Sequence, residues 1–163
     1  MNALVQKLDR LCASMARPLA FLVAFATRFG VGVSFFFHGK AKLADLGKTT
    51  EGFENLGIPL ASIQAPLVGG LELVGGAALV LGLLTRPFAA ILSVIMLVGL
   101  VTAHGKQLGT AISFDGTQHF IDITALAYLL FLLWIWIHGP GRLSADSLLF
   151  DTEAQPQGKG AKS

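Results

Sequence analysis

Four stretches of this chain, Leu19 to Phe37, Pro66 to Leu84, Pro87 to Ala103 and Phe120 to Ile137, are apolar almost throughout. Each is close to the roughly 20 residues that a helix needs to cross a bilayer. They follow one another with short polar joins. The chain therefore reads as an all-α integral membrane protein, a four-transmembrane-helix bundle. Composition points the same way: 53% of residues are hydrophobic and 13% charged, against roughly 25% charged in ordinary globular domains. That is too little charge to cover a soluble surface. A net charge of +2 is too small to indicate nucleic acid. Cys12 is the one cysteine, which excludes a disulfide framework, a CxxC redox pair or an iron–sulfur site within one chain. Any redox role must draw on a bound cofactor or a partner.

Before the first span, Leu4, Leu8, Leu11 and Met15 recur at helical spacing with Lys7, Asp9 and Arg10 off that stripe. Residues 1–17 read as an amphipathic helix lying on the membrane surface, with Pro18 opening the first span. Residues 18–146 form the transmembrane domain, and the polar segment 147–163 reads as a disordered tail. In the first loop, Thr50, Glu51, Phe53 and Leu56 followed by Gly57 and Pro59 predict one short surface helix. A second polar loop is expected from His104 to His119. Four crossings put both termini on one side, with Lys7, Arg10, Arg17, Arg86, Arg142, Lys159 and Lys162. The other side has Lys40, Lys42, Lys48 and Lys106. The positive-inside rule then places both termini in the cytoplasm and the protein in the inner (plasma) membrane.

The polar residues inside the apolar runs are the candidates for function. Arg28 costs about 2.5–3.5 kcal/mol at mid-membrane even on the lenient insertion scale, so it needs a partner or a role. It has Ala24 and Gly32 at i−4 and i+4, while Glu72 has Gly69 and Gly76 at i−3 and i+4. Both lie on small-residue stripes of the kind that mark close helix contact. An Arg28–Glu72 ion pair between spans one and two is the economical reading. Four crossings bring His38, Glu72, His104, His119 and Asp122 to the outer half of the bundle. Such a set could hold a metal through imidazole and carboxylate ligands, or a haem between His38 and His104. Hydrogen bonding to interfacial water and loop carbonyls, or a proton or quinone site, fits better. A quinone needs an apolar slot with polar groups at its ends. Phe35, Phe36 and Phe37 beside His38 suit that slot, although phenylalanines in a span equally face lipid.

Four motifs in order, HG-x-x-K-L after Arg28, E-x-x-GG, G-L-x-T-R and GPGR-x-S-x-D, resemble the DoxX family of small four-helix membrane proteins. The resemblance covers most of Arg28 to Asp146. It aligns Arg28, His38, Gly39, Lys42, Glu72, Gly75, Gly76, Arg86, His104 and Asp122 with recurrent family positions. Asp122 stands where the family often has glutamate. Gly75 joins Gly32, Gly69 and Gly76 as helix-packing positions. Some relatives are membrane subunits of oxidoreductase assemblies, including thiosulfate:quinone oxidoreductase. The resemblance implies the fold more than the chemistry; the first functional reading is a membrane subunit of a redox assembly, with quinone as a candidate cofactor and a soluble or membrane redox partner. In that reading His38, His104 and Asp122 handle protons as the catalytic groups. Phe35, His38 and His104 hold the cofactor, and no metal is assigned. A second copy of the chain is an allowed partner. The alternative is a non-enzymatic adaptor or small-molecule permeation protein whose buried charges only fix packing.

Overall fold

The computed structural model describes residues 2–112, 124–139, 144 and 146, all of them helix or connecting turn. Five helices follow in order: α1 (Asn2–Ala44), α2 (Leu46–Asn55), α3 (Ala61–Leu81), α4 (Thr85–Ile112) and α5 (Thr124–His138). Three contain stretches long and apolar enough to cross a membrane, Leu19–Ala44, Ala61–Leu81 and Thr85–Ala103; α5 is apolar but shorter. The side chains on their outer faces are apolar, with Val23, Phe37, Ile63, Val94, Val101 and Ile137 all more than half exposed. The charged Arg28 and Glu72 are buried instead. That inverted polarity is what a chain surrounded by lipid requires.

Helix α1 is longer than the apolar run it contains. It passes through Pro18, where a surface helix was expected to give way to the first span, with no break. A proline inside a helix removes one backbone hydrogen bond, and the rest of the ladder carries the helix through. At its other end α1 runs on past Phe37 to Ala44, because Gly39 weakens a helix by only about 1 kcal/mol and no proline follows. Asp45 then caps α2, its Oδ1 accepting from Lys48 N at 3.0 Å. This short helix begins four residues before Thr50 and ends at Asn55, two residues before Gly57, whose φ is +71°. Helix α3 starts at Ala61 rather than Pro66, so that proline sits inside it. Helix α4 continues through Gly105 and Gly109 to Ile112, where a loop was expected from His104. The rest of that loop, the start of the fourth apolar run and the polar tail lie outside the described residues.

Helices α1 and α3 pack antiparallel with their backbones in contact. A Cβ on Gly76 would fall 2.7 Å from the Gly32 carbonyl oxygen, and one on Gly39 would fall 2.6 Å from that of Gly69. Helix α4 turns back on α3 through Gly82, with Leu92 and Phe88 against Gly75. Helix α5 closes the group. Val31, Phe35, Leu79, Ala89, Leu92, Leu132 and Ile135, drawn from α1, α3, α4 and α5, make one buried apolar cluster.

Candidate functional site

The buried face of α1 is a single seam. Arg28, Val31, Gly32, Phe35 and Gly39 are buried and Lys42 is half-buried, a spacing of three and four residues that keeps one side of a helix toward its neighbours. The seam carries a cation at each end, and each meets a different acid.

At the α2 end, Lys42 Nζ bonds to Glu72 Oε1 at 2.5 Å. This corrects the expected Arg28–Glu72 pair. The glycine contacts set Gly39 beside Gly69 and Leu73, and Arg28 beside Gly82, so Glu72 and Arg28 lie about ten residues apart along the packed helices, roughly 15 Å. Glu72 is 1% exposed. Its second oxygen, Oε2, is buried with no hydrogen-bond partner among the described residues. Glu72 forms part of the wall of a cavity of about 180 Å³ whose other lining residues are Phe35, His38, Lys42, Met96, Thr124, Ala125 and Tyr128. All four long helices contribute. Phe35 and His38 both meet the Tyr128 ring edge-on, at 5.7 and 6.4 Å between centroids. His38 Nδ1 lies 2.7 Å from the Ser34 carbonyl. A carbonyl only accepts, so Nδ1 carries the hydrogen and Nε2 remains the proton-accepting nitrogen of the neutral ring.

At the other end, Arg28 is tied to the chain's last described residues. Gly82, with φ +70°, passes so close that a Cβ there would strike the Arg28 guanidinium and Ser144. Asp146 faces Arg28 electrostatically. Its carboxylate also accepts from Leu84 N at 2.7 Å and Thr85 N at 3.0 Å, capping α4. Its own N–H donates to the Gly82 carbonyl at 2.9 Å. The serine and aspartate of GPGR-x-S-x-D thus return to the α3–α4 turn. This is a packing site, closed by charge and backbone hydrogen bonds.

Of the sequence candidates, the structure brings Phe35, His38 and Glu72 to one cavity and puts Arg28 elsewhere. Asp122 and His119 lie outside the described residues, and for His104 only the backbone, within α4, is described. Phe36 and Phe37 are exposed rather than lining the cavity. Gly32, Gly69, Gly75 and Gly76 all lie at helix contacts, joined by Gly39. Among the described residues no three histidine, cysteine or acidic side chains converge as metal ligands would. Sequence reasoning missed Lys42 and Tyr128 as site residues. Lys42 lies seven residues after Phe35, on the same helix face, and was read as a loop cation. Tyr128 is the chain's single tyrosine, a phenol in an otherwise apolar helix.

The sequence model of the DoxX family matches residues 15–105. An uncharacterized membrane protein of Mycobacterium tuberculosis is 38% identical over 105 residues, which cover 60% of this chain and 62% of that relative. No solved structure matches.

Proposed function

The chain belongs to the DoxX family and is an integral membrane protein, and from that premise we propose that it is the membrane subunit of a redox assembly whose α2-end cavity holds a quinone ring. One observation carries the reading: Glu72, 1% exposed, lines an aromatic-walled cavity and is held by Lys42 through one oxygen, while its other oxygen is buried without a partner among the described residues. Buried polar groups without partners are costly and rare in native folds, so one beside a cavity is best explained by a ligand. The size is apt. An apolar cavity of about 150 Å³ takes benzene, and this one is about 180 Å³. The electrons come from a redox partner, and a bound quinone supplies two-electron chemistry. The chain's own groups bind and handle protons. Lys42 would donate a hydrogen bond to a quinone oxygen, His38 Nε2 would relay from water the two protons that reduction to the quinol consumes, and Glu72 would accept from a quinol hydroxyl. Phe35 and Tyr128 flank the ring. His104 and Asp122 remain candidates for passing protons onward.

The test is a titration of a tail-less dimethoxy-methyl-benzoquinone into the purified protein. Phe35→Leu and Tyr128→Leu, which remove an aromatic face but keep apolar volume, should each weaken binding several-fold with the fold intact. Saturable binding that neither change affects would put the ring elsewhere. The adaptor reading also has an observation in its favour: the Lys42–Glu72 bond lies beside the close approach of Gly39 to Gly69 and could serve only to fix helix register. No binding at all would favour it.

In the membrane we assign α5 as a fourth crossing, with both termini cytoplasmic and the quinone cavity toward the outer surface. A single cysteine placed in the 46–58 segment of a Cys12→Ser protein should react with an impermeant thiol reagent added to intact cells, and one at Lys159 should not. The opposite pattern would reverse the orientation.

A further inference from the structure

Tyr128 lines two spaces. On one side is the polar cavity; on the other is a groove of about 310 Å³ between α1 and α5, walled by Thr27, Gly30, Val31, Ser34 and Phe131. The two are linked again through α1, since His38 of the cavity bonds to the Ser34 carbonyl of the groove. From Thr27 to Ser34 the groove follows α1 for about 10 Å. It lies well inside the apolar stretch Leu19–Ala44, whereas Lys42 occupies that helix's last turn. The cavity with the ion pair and the groove thus follow one another along α1, from its last turn into its apolar stretch.

Among the described residues, two other seams do not offer such a path. Backbone contact at Gly32, Gly39 and Gly76 closes α1 against α3. A second groove, about 270 Å³ between α4 and α5 near Ala90, Leu97 and Trp136, shares no lining residue with the polar cavity. At Gly30, by contrast, an added Cβ would meet nothing within 4 Å, so the groove is open where a helix normally presents a side chain.

Resting on the quinone reading of the cavity, we propose that the α1–α5 groove is the tail site and lateral entrance of the same ligand. The ligand is an amphiphile with a polar ring and a long apolar chain. It enters from the lipid between α1 and α5, its ring passing Tyr128 to reach Lys42 and Glu72, its chain remaining along Gly30. The protein then selects for a tail as well as a ring.

Gly30→Leu extends a side chain into the groove from a Cβ that meets nothing within 4 Å, and leucine is the better helix former; Phe131→Trp narrows it from α5. The ring-only benzoquinone and its decyl derivative are titrated into wild type, both variants and Glu72→Gln, with thermal stability followed in parallel. In wild type the decyl compound should bind about tenfold tighter or more, the equivalent of burying two or more methylenes. Gly30→Leu and Phe131→Trp should remove that advantage while ring-only affinity and stability hold. If both variants fold and the decyl advantage survives, the inference fails while the cavity reading stands. If tail-dependent binding is lost in both variants but Glu72→Gln changes nothing, the groove stands and the ring assignment fails. If wild type binds neither compound, both fail. Displacement of the decyl compound by a tail-bearing phospholipid but not by excess ring would make the groove an acyl-chain site and overturn the inference.

Discussion

Lys42→Met lowers the stability of the detergent-solubilised protein by about 3 kcal/mol, the lower end of the roughly 3–5 kcal/mol that removing one partner of a buried ion pair costs. The lower end applies because the Lys42 side chain is 29% exposed while Glu72 is 1% exposed. The same difference makes the two single changes unequal. Lys42→Met strands a carboxylate that is almost fully buried. Glu72→Leu strands an ammonium on a flexible stem that can snorkel toward the surface, so its loss should be nearer 1 kcal/mol. The Lys42→Met/Glu72→Leu double variant should recover most of the loss, since replacing a buried pair by apolar groups is often neutral or stabilising. Unfolding by increasing denaturing detergent measures all three against wild type. Additive losses in the double variant would show that the two residues are not coupled.

The second large effect comes from adding one methyl group. Gly39→Ala and Gly76→Ala place a Cβ on opposing backbone: Leu73 N and the Gly69 carbonyl for the first, Phe36 N and the Gly32 carbonyl for the second. Backbone in a packed helix cannot rotate away as a side chain can. Each change should therefore cost at least the upper part of the about 1–3 kcal/mol typical of overpacking. It should be read as loss of folded protein in the membrane fraction and a lower melting temperature. Gly30→Ala and Gly70→Ala meet nothing within 4 Å and remove a helix-weakening glycine, so they should be neutral or gain up to about 1 kcal/mol. Equal tolerance at all four positions would mean that α1 and α3 do not touch through their backbones.

What the sequence makes legible follows from how local each signal is. Membrane character is written in every apolar run. The burial of Glu72 could be read from Gly69 and Gly76 on its own helix face. Its partner could not be read as surely, because that depended on where α1 stops. Hydropathy falls at His38, yet a helix ends where its hydrogen bonds end, and those continue to Ala44. Seven further residues carry Lys42 onto the buried seam and displace Arg28 from the role. Arg28's own electrostatic partner, Asp146, lies more than a hundred positions along the chain. It arrives there by capping the first turn of α4, a tertiary contact with no periodic signature. Tyr128 was hidden for a similar reason: a phenol in an apolar helix shows nothing of itself until a cavity is found beside it.

Quinol against quinone affinity is the most direct measure of whether the Glu72 cavity holds a redox-active ring. A carboxylate can accept a hydrogen bond from a quinol hydroxyl and has nothing to donate to a quinone oxygen. Hydrogen bonds to charged groups contribute about 1.5–3 kcal/mol against about 0.5–1.5 for neutral ones, so exchanging the carboxylate for an amide, which still accepts through its carbonyl, costs about fivefold in affinity. With the tail-less ring titrated in both oxidation states, Glu72→Gln should weaken quinol binding by about that factor and leave quinone binding within about threefold. Equal affinities of wild type and Glu72→Gln for both forms, with folding intact, would contradict the assignment and leave the Lys42–Glu72 bond a structural tie between α1 and α3.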